Sequence, residues 1–175
     1  MAITRTSTHT ATYTRTELIK MQVERVLVRS RVTQKCTEAI LRGLEMRWIA
    51  EVSIYGLDEN DECHAELFIK VDWSRNALHI SAGRDTVQID DGWQDGISAE
   101  IDLSLKKFEE FVRQLGLRRV FRTRYAPGVD RDLTNRRLGF VRSSAVRWRD
   151  GTVGTAMSIP ELDEVTVGIN IAASD

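Results

Sequence analysis

WIAEVSIYGLDENDECHAELFIKVDW, residues 48–73, is the stretch on which the fold turns. On either side of an acidic cluster, apolar and polar side chains alternate with the period of a strand, not of a helix. Trp48, Ala50, Val52 and Ile54 share one face of a first strand. Cys63, Ala65, Leu67, Ile69, Val71 and Trp73 share one face of a second, with His64, Glu66, Lys70 and Asp72 on the other. The polar residues 58–62 between them read as a hairpin turn, so the two strands are antiparallel neighbours. A sheet with one apolar face needs a second layer to cover it.

The flanks supply that layer. Upstream, Thr14 and Glu17 stand at capping-box spacing and open a helix with the stripe Ile19, Val23, Val26 and Leu27. A second helix from Thr33 presents Ile40, Leu41 and Leu44. Downstream, Ala77–Ala82 and Asp85–Ile89 read as short strands, and 90–96 as a loop. Ile101, Leu105, Phe108, Val112 and Leu115 then fall at alternating spacings of four and three, the buried stripe of a long helix that Gly116 stops. Residues 118–125 read as a strand, 130–140 as irregular and arginine-rich, and 141–149 as strand-like. A turn at 160–164 precedes a terminal strand carrying Val165, Val167, Ile169 and Ile171. Helices and hairpins without a βαβ rhythm make an α+β fold. Its 175 residues suit one domain, 1–175.

The opening segment is unusual: Thr4, Thr6, Thr8, Thr10, Thr12, Thr14 and Thr16 recur at every second position. A β-branched residue with period two is the pattern of a strand, yet both faces are polar, so nothing apolar fixes its register. Residues 1–14 are read as an edge strand or a loosely attached arm.

With 42% hydrophobic and 29% charged residues, the chain is not a disordered polymer. It has no apolar run long enough to span a bilayer, and its first residues lack the apolar core of a signal peptide. Two cysteines, Cys36 and Cys63, do not make a disulfide framework, which fits a cytoplasmic setting. The net charge of −1 hides a strong asymmetry. Residues 113–149 carry eleven basic side chains, all arginine, against two acidic ones. Either this block neutralises the acidic middle of the same domain, or it is a contact surface for an acidic protein or nucleic acid.

Motifs of catalysis are sparse. The tetrapeptide DECH at 61–64 has no phosphate-binding Gly-rich Lys-Ser/Thr loop to accompany it. His9, His64, His79, Cys36 and Cys63 lack metal-ligand spacing. Asp91, Asp95, Gly96 and Asp102 sit at places of a calcium loop, but Trp93 stands where an oxygen ligand is needed. No Ser or Cys lies in a Gly-flanked elbow. The expectation is a protein that is not an enzyme, with no cofactor and no metal. Arginine interleaved with Phe121, Tyr125, Phe140 and Trp148 leaves an arginine-rich nucleic-acid-binding module as the alternative.

Taken in order, these segments resemble a bacterial HORMA domain of the kind associated with cyclic-oligonucleotide anti-phage signalling. The resemblance is carried by TSTHTATYTRTE running into a helix, by GLEMRWIAEVSIYGLDENDECHAELFIKVDW, by LSLKKFEEFVRQLG, and by the irregular and extended C-terminal third. It implies about three helices packed on a mainly antiparallel sheet, with an N-terminal arm (1–14), a core (15–117) and a C-terminal safety belt (118–175). The implied function is a two-state signalling adaptor. A closure-motif peptide would add as a strand under the belt, and the closed form would bind and activate a cyclic-oligonucleotide synthase. A ring-shaped AAA+ ATPase would reopen it by pulling at the arm, where Arg5, Thr6, Thr8, Thr10 and Thr12 lie. Leu138, Phe140, Val146 and Trp148 are the candidate peptide anchors, and Arg136, Arg137, Arg142 and Arg147 the candidate carboxylate partners. No membrane partner is implied.

Overall fold

The computed structural model describes residues 13–83, 85–89, 97–148 and 151–159, and of 85–89 and 97–100 the backbone. The N-terminal arm at 1–12, the loop at 90–96 and the terminal turn and strand beyond 159 lie outside the described residues. The order of elements is α1 (Arg15–Arg29), α2 (Gln34–Glu45), β1 (Ile49–Leu57), β2 (Cys63–Asp72), β3 (Ala77–Ala82), β4 (Asp85–Ile89), α3 (Ile97–Leu115), β5 (Arg118–Tyr125), α4 (Arg131–Leu138), β6 (Val141–Arg147) and β7 (Val153–Ser158).

The strands form one seven-stranded sheet in the order β4-β3-β2-β1-β5-β7-β6, with every strand pair antiparallel. The hairpin at 48–73 lies at its centre, and its two strands pair antiparallel as expected: Ile54 faces Leu67 and Val52 faces Ile69 across the ladder. Helices α1, α2 and α3 cover one face. Ile19, Val23, Val26 and Leu27 from α1, Ile40 and Leu44 from α2, and Ile101, Leu105, Phe108 and Val112 from α3 meet Val52, Ile54, Leu67, Ile69, Leu78 and Ile80 in one core. Local chemistry sets the helix starts. Thr14 Oγ1 accepts from the Glu17 amide at 3.1 Å while the Glu17 carboxylate accepts from the Thr14 amide at 3.4 Å, and Thr33 Oγ1 caps α2 at the Cys36 amide.

Three expectations need correction. The strand begins at Ile49, not Trp48, because β1 carries an extra residue against β5 between Ile49 and Glu51. That bulge at Ala50 gives the inward position to Ile49, and Trp48 lies outside the strand, with the Arg42 and Arg137 guanidinium groups 5.8 and 5.5 Å from its ring centre. At the end of α3, Leu115 is exposed, and Leu117 goes inward instead: the chain reverses at Gly116, and the Leu117 amide donates back to the Val112 carbonyl at 2.9 Å.

The third is the segment read as irregular, which contains α4. Asp130 Oδ1 accepts from the Leu133 amide at 2.9 Å at its start. At its end Gly139 adopts φ 78°, and the Phe140 amide donates to the Asn135 carbonyl at 2.8 Å. A left-handed residue there favours glycine. With only Leu133 and Leu138 apolar across RDLTNRRL, the two caps define this helix rather than a hydrophobic stripe.

Candidate functional site

The site lies where the C-terminal elements meet the far side of the sheet. Strand β5 pairs with β1 along its whole length, from Leu57↔Arg118 to Ile49↔Tyr125. Beyond it the attachment thins: among the described residues, β7 pairs with β5 at the single position Phe121↔Met157. Strand β6 pairs with β7 from Val141↔Ser158 to Arg147↔Val153 and is the outermost strand on this side.

The β6–β7 hairpin folds over the face opposite the helices. A small second core forms there from Tyr55 and Leu57 of β1, Val146 of β6 and Ala156 of β7, with Trp148 and Val120 packed against it. Trp148 meets the ring of Tyr55 edge-on at 5.7 Å, and the Arg122 guanidinium stands 5.4 Å above the Trp148 ring. Burial pushes the Tyr55 hydroxyl pKa above its ordinary value, and neighbouring Glu66 adds to the effect.

The far end of β6 is tied to the β1–β2 turn. The Arg147 amide donates to the Asp61 carbonyl at 2.8 Å, and Glu62 forms an isolated bridge with Arg147. Arg118 pairs with the Asp61 carboxylate and donates to Ser144 Oγ at 3.2 Å. That turn is itself organised by one carboxylate. Asp58 Oδ1 accepts from the Asn60 and Glu62 amides, and its Oδ2 is 2.7 Å from His64 Nε2. The hydrogen bond from His64, then that from the Glu62 amide, holds the Asp58 carboxyl below its ordinary range. Sequence spacing gave no hint that Asp58, Glu62 and His64 would bring their ligand atoms within 4.8 Å of one another. The tight turn does this, and Asp58 is already engaged by its own turn.

Between β5, α4 and the hairpin lies a cleft of about 690 Å³. Four arginines line it: Arg122 and Arg124 from β5, Arg131 from α4 and Arg142 from β6. Thr123, Tyr125, Asn135 and Thr155 add polar groups, and no carboxylate belongs to the lining among the described residues. Arg124 reaches Glu51 at 3.6 Å, outside the cleft. The Tyr125 hydroxyl donates to Asn135 Oδ1 and accepts from Thr123 Oγ1 at 3.2 Å. A concave surface of guanidinium forks, hydroxyls and an amide is suited to holding oxyanions.

The residues proposed from sequence divide between these features. Leu138 and Phe140 are interior to the main core, Phe140 packing edge-on against Phe121 at 5.5 Å. Val146 is fully buried in the second core and Trp148 half-buried beside it. These four anchor the C-terminal elements to the sheet in this arrangement. Arg142 lines the cleft, Arg147 and Arg136 are exposed, and Arg137 stacks on Trp48. Arg5, Thr6, Thr8, Thr10 and Thr12 lie outside the described residues. Sequence reasoning missed Arg122, Arg124 and Arg131 as a group. A signal existed: in RRVFRTRY, Arg118, Arg122 and Arg124 share strand parity and so one face.

Comparison of the chain with family models, with curated proteins and with solved structures finds no match.

Proposed function

We propose that the chain is a HORMA-like, two-state peptide-binding adaptor with no catalytic role of its own. The observation that carries this reading is the unequal attachment of the last strands. β5 is stitched to β1 along its length, whereas among the described residues the β6–β7 hairpin joins β5 through one ladder position, Met157 in the main core and the four-residue second core. Elements held by few pairs and little buried apolar area open at lower free energy than the rest of a domain. Two packings of the hairpin within a few kcal/mol of each other are what a switch needs.

The outer edge of β6 offers the peptide site. Among the described residues, positions 141–146 have no strand partner on that side. An extended closure-motif peptide added there gains backbone hydrogen bonds, with Arg142 and Arg147 placed to meet its carboxylates. The belt that moves is the part after β5, and Leu138, Phe140, Val146 and Trp148 seat it. In this reading the closed form binds and activates a cyclic-oligonucleotide synthase in anti-phage defence. An AAA+ ATPase reopens it by pulling at the arm around Arg5, Thr6, Thr8, Thr10 and Thr12. The setting is cytoplasmic. No helix among the described residues is long and apolar enough to cross a membrane.

Deleting residues 1–13 leaves the Thr14 cap in place. It should change the ratio of two conformers resolved by ion exchange while the main melting transition stays where it was. A single unchanged species, or a molten or insoluble product, contradicts the proposal.

A further inference from the structure

We infer that the four-arginine cleft binds a small polyphosphorylated molecule of nucleotide size, and that its occupancy holds the β6–β7 hairpin against β5. The inference concerns the cleft between β5, α4 and the hairpin rather than the outer edge of β6; it shares Arg142 and the movable hairpin with the peptide reading, but its ATP titration is read with no peptide present.

Charge comes first. Arg122, Arg124, Arg131 and Arg142 converge on one cavity that no described carboxylate lines. Arg131, Arg142 and Arg122 have no ion pair among the described residues, and Arg122 stands over the Trp148 ring. Like charges held around one cavity repel each other, and an anion within it removes that cost. A single carboxylate answers one of four guanidinium groups. A di- or triphosphate concentrates several charges within a few ångströms and offers oxygens in the geometry that a guanidinium fork grips with two parallel hydrogen bonds.

Size and lining point the same way. At about 690 Å³ the cleft falls in the range of small-molecule sites and is far larger than one inorganic ion requires. The Tyr125 hydroxyl occupies Asn135 Oδ1, so the amide nitrogen of Asn135 remains as a donor. Tyr125, Ala126, Val129 and Met157 give an apolar margin against which a nucleoside can rest.

The walls belong to different elements. Arg122 and Arg124 sit on the fully paired β5, while Arg131 comes from α4 and Arg142, Gly154 and Thr155 from the hairpin. A ligand gripping both sides stabilises only the arrangement in which they meet, in proportion to its occupancy.

The test is calorimetric titration of the full chain with ATP and with pyrophosphate, paired with hydrogen exchange. One ATP per chain should bind saturably, at least about tenfold more tightly than pyrophosphate, and exchange across 141–147 should slow on binding. Arg131→Gln and Arg142→Gln, both at exposed residues, should each weaken ATP by about tenfold or more, because each removes a charge-assisted hydrogen bond. Arg113→Gln, at an exposed position of α3 outside the cleft, should leave it unchanged and so control for net charge. Absence of saturable ATP binding overturns the inference. So does equal weakening by all three variants, or tighter binding of a glutamate-rich peptide or a single-stranded oligonucleotide at the same arginines. Equal affinity for ATP and pyrophosphate, or unchanged exchange across 141–147 in the saturated protein, overturns it as stated.

Discussion

Gly154 has no room for a methyl group. A Cβ there would lie 2.5 Å from Cη2 and 2.6 Å from Cζ3 of Trp148, and 2.9 Å from Nη1 of Arg122. The indole therefore rests directly on the β7 backbone while its edge meets Tyr55, and this contact keeps the hairpin over the sheet. Gly154→Ala should push Trp148 off Tyr55, shift the tryptophan fluorescence towards the exposed value and raise exchange across 141–147. Overpacking of this kind costs about 1–3 kcal/mol. The main transition should move little, since the helix-side core does not include these rings. Asp58 makes a second prediction at this scale. Its folded pKa is depressed below the ordinary 3.8, chiefly by His64. A depressed carboxyl contributes stability that is complete above 3.8 and is lost as the pH falls through the lower folded value. The amide resonances of Asn60 and Glu62 should therefore hold their positions down to the ordinary carboxylate range and move together below it. In Asp58→Asn that acid step should be absent.

Among the elements, α4 shows what alternation and stripes cannot convey. RDLTNRRL has too few apolar residues to announce a helix, and the informative residues, Asp130 and Gly139, stand just outside it. Asp130→Ala should cost about 1 kcal/mol through the lost cap. Gly139→Ala should cost about 1–2 kcal/mol through the left-handed backbone. Denaturant midpoints at unchanged slope would register both, and a cost near zero for either would mean that tertiary packing alone holds α4. The central hairpin was legible because each strand buries one face, which writes period two into the sequence. The bulge at Ala50 was not, because an extra residue shifts that period without changing composition. Leu115 and Leu117 were exchanged for a related reason: helical spacing runs past the point where Gly116 turns the chain.

For the whole molecule, the mixture of helices and antiparallel hairpins could be read from local pattern, and the cleft only in part. The shared parity of Arg118, Arg122 and Arg124 is visible in one strand, but Arg131 and Arg142 join Arg122 and Arg124 only through the return of α4 and β6 to the edge of β5. Such convergence depends on sheet order, which no single segment encodes. The same order makes the molecule unequal in its attachments: a continuous β2-β1-β5 centre, and beyond it a hairpin held, among the described residues, by one ladder position, Met157 in the main core, the four-residue second core and the Asp61 contacts. A two-state adaptor requires that hairpin to open while the centre stays closed. Native-state hydrogen exchange, followed amide by amide under increasing denaturant, measures this directly. The account expects 141–158 to exchange through an opening several kcal/mol below the global unfolding free energy, with 49–57 and 118–125 exchanging only on global unfolding. Exchange of all these amides in one step, at the global free energy, would contradict it.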